Sequence, residues 1–236
     1  MPVQTFTAKV SDHTLIKDKF QYVTFELIEP QTLNFQAGQY LMMNVPGMAA
    51  KKSYSIASNP AENYKVEILV DVSPQGDGSL YLQSLNPGET ISFMAPIGRF
   101  VLAPDPTEPK LVFVATGSGI SAVRSIILNL LHTQHDLRPL SLHWGLRYPQ
   151  DIFWEQDFFL LHESFSNFTF DLVLSRPPEN WPLCSGRVTD CLKKHYQSLA
   201  NTGFYLCGNK PMIEDVSQYL LSQGVSETHI HHEQFY

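Results

Sequence analysis

Four short segments of the chain carry side chains suited to binding phosphate groups or flat aromatic rings. They are KSYS at 52–55, TGSGIS at 116–121, the arginines at 147 and 176, and CGN at 207–209. Lysine and arginine pair with phosphate, and glycine allows a ligand to approach the backbone closely. The secondary-structure elements around these segments decide where they lie.

The segment TGSGIS joins an apolar strand pattern, LVFVAT, to the amphipathic helix pattern ISAVRSIILNLLH. Gly117 and Gly119 permit close backbone approach, and the unpaired N–H groups of a helix start favour a pyrophosphate. By itself, the segment fits a tight strand-to-helix connection equally well.

Three further polar groups follow apolar strand patterns, at the edge where open α/β sheets bind ligands. Arg147 and Arg176 are suited to pair with a nucleotide phosphate or to stack on adenine. Cys207 and Gly208 leave room for a flat ring. Taken singly, solvated arginines and a buried inert cysteine remain the alternative interpretation.

The segment KSYS reads as a strand with a cation, an aromatic ring and two hydroxyl groups. Strand alternation predicts Lys52 and Tyr54 on one face and Ser53 and Ser55 on the other. On periodicity alone, an ordinary strand with a solvent face explains the pattern.

Two different patterns divide the chain. Up to about residue 104, short alternating runs separated by Gly, Pro and Asn predict an antiparallel β-barrel, with one short helix at 79–85. APDPTEP, at 103–109, has three prolines and predicts a linker. Apolar strands then alternate with helices, which predicts a doubly wound parallel α/β sheet. We place the domains at 1–104 and 105–236.

Composition excludes several classes of protein. The chain has 236 residues and a formal net charge of −7 without a basic run, so a nucleic-acid partner is not expected. No apolar stretch reaches the roughly 18 residues of a membrane span, and no signal core is evident, so we expect a cytoplasmic protein. The three cysteines match neither an iron–sulfur nor a zinc pattern, and HIHH at 229–232 alternates like a strand, so no metal site is predicted.

Together these segments resemble the ferredoxin–NADP reductase family, in the form without an attached iron–sulfur domain. KSYS resembles the family's Arg-x-Tyr-Ser flavin motif, and the stretch from GDGS at 76–79 to GRF resembles the one that holds the FAD pyrophosphate. TGSGIS resembles the nucleotide loop, and CGNKPMI resembles the Cys-Gly motif near nicotinamide. The resemblance spans the chain from AGQYL at 37–41 to its last residue.

The resemblance implies an FAD site in the first domain. Lys52 offsets phosphate charge, Ser53 and Tyr54 line the flavin, and Ser55 hydrogen-bonds near flavin N5. Gly78 and Ser79 supply donors to the pyrophosphate. The segment that passes the ribityl or adenosine side by backbone contact comprises Leu69, Val70, Asp71 and Val72.

It also implies an NADPH or NADH site in the second domain. The pyrophosphate would be held by Thr116, Gly117, Ser118 and Gly119. Arg147, Ser175 and Arg176 would meet the adenosine end. Cys207, followed by Gly208, and Glu233 would line the hydride-transfer site, and Tyr236 would cover the nicotinamide face of the flavin.

Three positions depart from the family pattern. Lys52 stands where the family usually has arginine, and lysine lacks the bidentate fork to phosphate, which predicts weaker FAD binding. Ser118 and Ala122 replace the usual threonine and proline of the nucleotide loop, and the loss of proline predicts a less rigid loop.

The implied function is hydride transfer between NAD(P)H and FAD, followed by electron transfer to a ferredoxin, flavodoxin or oxygenase component. One alternative is an NAD(P)H:flavin reductase that uses free flavin as a substrate. A non-catalytic nucleotide-binding subunit is the other alternative, and it would not need Ser55, Cys207 and Glu233.

Overall fold

The computed structural model describes residues 2–103 and 108–235. The chain divides into two compact units, and each is described by itself. The first unit contains the residues up to Leu102 together with Arg124–His135, and the second contains Ala103–Val123 and the residues from Asp136 onward. The predicted domain boundary, between residues 104 and 105, lies outside the described residues and stays a prediction.

The first unit is an antiparallel sheet that curls into a nearly closed barrel. Its strands are β1 (Gln4–Ile16), β2 (Phe20–Glu29), β3 (Tyr40–Met43), β4 (Lys52–Ser55), β5 (Lys65–Asp71) and β6 (Thr90–Ile97). Their order is β4-β3-β6-β1-β2-β5, and a bridge between Ile56 and Ile68 joins the two edges. The predicted antiparallel barrel is confirmed.

Aromatic rings fill the interior of this barrel. The rings of Phe6 and Phe93 lie 5.6 Å apart, and those of Phe25 and Phe93 lie 6.1 Å apart. These side chains come from β1, β2 and β6. They all point into the barrel, because alternate residues of each strand lie on the same side of the sheet. Burial of the rings supplies the apolar surface that holds the strands together.

One helix, α1 (Asp77–Ser84), lies between β5 and β6 in the chain. It buries Leu82 and ends two residues before Asn86, Pro87 and Gly88. The predicted helix at 79–85 is therefore confirmed, with its start two residues earlier.

A buried carboxylate on β5 predicts an acid-sensitive step in the stability of the first unit. Glu67 lies 3.1 Å from Arg124 and 2.9 Å from Lys65. Burial alone would raise the pKa of Glu67, but the charges of Arg124 and Lys65 lower that pKa below its usual value. Because the folded pKa is below the unfolded value of about 4.3, this stabilisation is present above pH 4.3 and is lost as pH falls further.

We expect Glu67→Gln to lower the free energy of unfolding by about 2 kcal/mol at pH 7 and by less at acidic pH. Urea unfolding followed by far-UV circular dichroism at both pH values measures this difference. The control is Glu62→Gln, since exposed Glu62 lies 3.3 Å from the same Lys65 and such pairs contribute at most about 1 kcal/mol. Equal losses in the two variants would contradict the prediction.

The second unit is a parallel sheet with helices. Its strands are β7 (Lys110–Thr116), β8 (Leu140–Leu146), β9 (Phe168–Leu174), β10 (Cys184–Ser185), β11 (Thr202–Asn209) and β12 (Ile230–Phe235). The helix α2 (Ile120–Leu128) begins in this unit, but its residues from Arg124 onward belong to the first unit. The other helices of the second unit are α3 (Glu155–Ser164), α4 (Val188–His195) and α5 (Lys210–Ser222). A π-turn, Asn129–Thr133, continues α2, and 3-10 turns are formed by Gly117–Gly119, Pro149–Asp151 and Glu227–His229.

The strand order of this sheet is β10-β9-β8-β7-β11-β12, and every pairing is parallel. From β7 the chain adds strands in one direction, and it then returns to add β11 and β12 on the other side. The order therefore reverses between β7 and β11, which is where doubly wound sheets bind ligands, at the carboxyl ends of the strands. The predicted doubly wound sheet is confirmed.

The central strands of this sheet are apolar along their length. Residues 111–115 of β7 and 202–208 of β11 are all buried, as expected for parallel strands covered on both faces. HIHH lies partly on β12, where the ring of His231 stacks on Tyr205 at 4.6 Å. Across the described residues, each helix is too short or too polar to traverse a bilayer.

Candidate functional site

In the first unit, β4 and the start of α1 bring together three of the predicted flavin residues. Gly78 faces both Lys52 and Tyr54, since a Cβ atom added at Gly78 would lie 2.6 Å from the Tyr54 hydroxyl oxygen and 3.0 Å from Lys52 Cγ. Strand alternation explains why Lys52 and Tyr54 reach the same point. The Lys52 side chain, the Tyr54 phenol and the start of α1 therefore meet at position 78, where glycine has no side chain.

The Tyr54 hydroxyl group is buried and has no hydrogen-bond partner among the described residues. Burial, and secondarily the charge of Tyr81, raises the pKa of Tyr54 to about 12, so the hydroxyl group remains protonated and able to donate. An unpaired buried hydroxyl group is costly, so a ligand oxygen at this point would be stabilising. The residues present therefore fit the phosphate or ribityl part of FAD.

The other predicted flavin residues lie on the same elements. Ser55 is buried and pairs with Tyr40 of β3, whereas Ser53 is exposed. Ser79 donates a hydrogen bond of 2.8 Å to the carbonyl group of Gly76, the residue before α1, so its hydroxyl proton is already used there. The segment Leu69–Val72 runs along the end of β5, which is an edge strand in the order of the sheet.

A methyl group at position 78 tests whether this arrangement holds FAD. We expect Gly78→Ala to weaken FAD binding by about tenfold, or about 1.4 kcal/mol, because Tyr54 and Lys52 must move away from the added Cβ. The ratio of flavin to protein absorbance after dialysis measures the effect.

The matched control is Gly76→Ala, where no atom lies within 4 Å of the added Cβ. We expect this variant to retain FAD as the parent chain does. Equal FAD loss in both variants would show that the contact at Gly78 is irrelevant.

In the second unit, the glycine turn after β7 packs directly on the end of β11. A Cβ atom at Gly119 would lie 2.3 Å from the Cys207 carbonyl oxygen and 2.9 Å from Gly208 Cα. Only glycine fits at this distance without displacing the backbone of β11. The turn and the Cys-Gly segment, separated in sequence, therefore form one surface at the point where the strand order reverses.

Two side-chain contacts fix this turn. The Trp144 indole N–H donates to the Gly117 carbonyl group at 3.2 Å, and the Asn209 side chain donates to Thr116 Oγ1 at 3.4 Å. Asn209 also caps α5 by accepting from the Met212 N–H at 3.0 Å. No role was predicted for Trp144 or for Asn209 itself, although an asparagine directly before a helix pattern is a recognisable capping signal.

At the next strand ends, two predicted arginines lie around one aromatic ring. The guanidinium carbons of Arg147 and Arg176 are 5.5 and 5.9 Å from the centre of the Tyr148 ring. Exposed Ser175 follows β9, with its N–H bonded to the Leu146 carbonyl group at 3.0 Å. The cluster combines two cations with a flat ring and fits the adenosine end of a nucleotide. Tyr148 was not among the predicted residues.

The predicted hydride-transfer residues of this unit are neighbours on adjacent strands. Cys207 of β11 pairs in register with Glu233 of β12. The Cys207 side chain is fully buried, and this burial, followed by the charge of Glu233, raises the pKa of the thiol well above its usual value. The thiol is thus protonated rather than nucleophilic. Tyr236 lies outside the described residues, so its predicted role stays a prediction.

Two family models match separate parts of the chain. Residues 7–102 match the oxidoreductase FAD-binding domain family, and residues 113–218 match the oxidoreductase NAD-binding domain family. The electron transfer component of anthranilate 1,2-dioxygenase from Acinetobacter baylyi is 31% identical over 86% of this chain, which spans 59% of that relative's length.

In two further comparisons, a larger share of the known protein's own length is covered. Ferredoxin–NADP reductase B of Sorangium cellulosum is 29% identical over 90% of both chains. The crystal structure of the Amycolatopsis cytochrome P450 reductase GcoB superposes with a TM-score of 0.91 at 28% identity, covering 99% of this chain and 70% of that one. With a barrel that matches FAD-binding domains and a sheet that matches NAD-binding domains, the chain belongs to the ferredoxin–NADP reductase family of flavoenzymes.

Proposed function

We propose that this protein takes hydride from NADH or NADPH and passes the electrons, through FAD, to an oxygenase component or a ferredoxin. The observation that carries the proposal is that one chain provides both the flavin cradle at Gly78 and the nucleotide turn at Gly119. FAD supplies the chemistry that no side chain can, since it accepts a hydride and releases single electrons.

In the first unit, the proposed work of the chain is to bind and orient the flavin. Lys52 offsets phosphate charge, Tyr54 donates its unused hydroxyl proton, and Ser55 donates to the ring where hydride arrives. The start of α1 adds backbone N–H donors to a pyrophosphate. Each of these groups is held by β4 or α1, so little rearrangement is needed on binding.

In the second unit, the proposed work is to hold the nucleotide at three points. The turn Thr116–Gly119 receives the pyrophosphate, and Arg147, Ser175 and Arg176 meet the adenosine end beside Tyr148. Cys207 is fully buried, so it would meet the nicotinamide ring only if nucleotide binding uncovers it, with Glu233 and Gly208 beside it. Both NADH and NADPH remain candidates, because paired arginines serve adenosine stacking as well as a 2′-phosphate.

The acceptor class follows from the named relatives, which include a dioxygenase electron transfer component and a ferredoxin–NADP reductase. An anaerobic titration of the purified protein with NADH and with NADPH tests the first half of the proposal, since bound FAD is expected to bleach. Reduction of cytochrome c through an added ferredoxin tests the second half. Absence of bleaching with both nucleotides would reject the enzyme and favour a non-catalytic subunit.

The free-flavin alternative has one specific observation in its favour, which is Lys52 in place of arginine. Exhaustive dialysis distinguishes the hypothesis of a fixed FAD cofactor from that of a free flavin substrate. If the protein keeps its yellow FAD, flavin is a fixed cofactor. If flavin is lost and turnover then depends on the concentration of added free flavin, the protein is a flavin reductase.

A further inference from the structure

At one edge of the parallel sheet, four side chains with metal-binding atoms meet. Asp171 belongs to β9, Cys184 to the edge strand β10, and Cys191 and His195 to α4. Their ligand atoms all lie within 4.8 Å of one another. We call these four residues the α4 cluster.

We propose that the α4 cluster, with both cysteines reduced, binds one Zn²⁺ ion. Two thiolates, an imidazole and a carboxylate are ligands that zinc takes in four-coordinate protein sites. The set is complete within the second unit. It does not take part in the proposed electron transfer, so the site is structural rather than catalytic.

The separations between ligand atoms are near those of a zinc tetrahedron. The four ligand atoms lie within 4.8 Å of one another, and His195 Nε2 lies 3.5 Å from Cys184 Sγ. Bonds of about 2.0 Å to nitrogen or oxygen and about 2.3 Å to sulfur give tetrahedral edges of about 3.3–3.8 Å. Once reduction lets the two sulfur atoms move apart, side-chain rotations that shorten the longer separations, up to 4.8 Å, would place all four ligand atoms around one ion.

Helix and strand geometry explain why these residues meet. Cys191 and His195 are four residues apart on α4, so they share one face of the helix. β10 pairs with β9 through Cys184 and Val173, which places Cys184 beside the strand that carries Asp171. The zinc ion would join the short edge strand to the helix that follows it.

A fifth residue is suited to orient the ligands. His143 is buried, and its Nδ1 lies 3.4 Å from Cys191 Sγ and 3.3 Å from Asp171 Oδ2. Its Nε2 lies 2.9 Å from the Tyr196 hydroxyl group. Outer-shell hydrogen bonds of this kind fix the orientation of metal ligands.

The structure joins Cys184 and Cys191 as a disulfide, so the oxidised chain lacks both thiolates. A trialkylphosphine with water opens the bond, because the phosphine gives two electrons and becomes the oxide while water supplies two protons. Zinc binding then releases the two thiol protons to solvent, and the ion itself stays Zn²⁺. The same pair of cysteines thus forms either a disulfide or two of the four zinc ligands.

The test uses the full chain, which is first reduced with phosphine. The phosphine is then removed under anaerobic conditions. Zinc titration against a chromophoric chelator is expected to show one tight site per chain, absent from the unreduced protein. We expect Cys184→Ser and His195→Gln each to weaken that site by at least about tenfold. The control His135→Gln makes the same change at an exposed residue outside the cluster and is expected to keep it.

A second measurement needs no variant that must fold. In the reduced parent chain, zinc is expected to slow alkylation of Cys184 and Cys191 by iodoacetamide, mapped by peptide mass, whereas buried Cys207 serves as the reference. No stoichiometric zinc, unchanged alkylation, or equal binding by Cys184→Ser would overturn the proposal. Equal binding by that variant would place the ion elsewhere, for example at HIHH.

Discussion

Replacing Ser55 with alanine is expected to slow flavin reduction by NAD(P)H by about 10²- to 10³-fold, the usual effect of removing one hydrogen-bond donor at a reacting atom. Ser55 is buried beside Tyr54 at the end of β4, and the family resemblance directs its hydroxyl group to flavin N5. Anaerobic stopped-flow absorbance measures the rate directly. The expectation rests on the proposed role of Ser55.

The neighbouring serine provides the control. Ser53 lies two residues earlier on the same strand, where its side chain is exposed. In Ser53→Ala, the rate of flavin reduction by NAD(P)H is expected to stay within about threefold of the parent rate. Exposed hydroxyl groups away from the reacting atoms contribute little to that rate. FAD content is measured in both variants, so that a slow rate is not confused with lost cofactor. Similar rates for Ser55→Ala and the parent would remove Ser55 from the reaction.

The second large effect is expected at Gly119. A Cβ atom there would lie 2.3 Å from the Cys207 carbonyl oxygen, so Gly119→Ala must push the glycine turn and the end of β11 apart. Overpacking of this kind costs about 1–3 kcal/mol. Because the turn and Cys207 are both proposed to lie at the nucleotide, we expect the Kd for NADP⁺ or NAD⁺ to rise at least tenfold, as measured by calorimetric titration.

The control Gly224→Ala separates the effect of backbone conformation from the effect of steric crowding. Gly224 follows α5 with φ of 82°, and no atom lies within 4 Å of the added Cβ. Its left-handed conformation predicts a cost of about 1–2 kcal/mol in stability, but no change in nucleotide Kd. If both variants weaken the nucleotide equally, general destabilisation explains the loss, and the contact between Gly119 and Cys207 is not the cause.

The type of each domain was predictable because it depends on local periodicity. Alternating runs punctuated by Gly and Pro predicted the barrel, and apolar strands alternating with amphipathic helices predicted the parallel sheet. The short helix α1 was also predicted, since Asn86, Pro87 and Gly88 end it. HIHH was correctly interpreted as lying along a strand, with His229 in the turn that precedes β12.

The sequence by itself thus determined the two kinds of fold and the segments that resemble known binding motifs. Only the tertiary structure decided which distant residues meet. Strand order brings Gly119 against Cys207, and the return of the chain places Cys184, Cys191 and His195 beside Asp171, a cluster that the spacing of the cysteines did not predict. The physical reason is that local periodicity sets which face of an element is buried, whereas strand order and register set what that face touches.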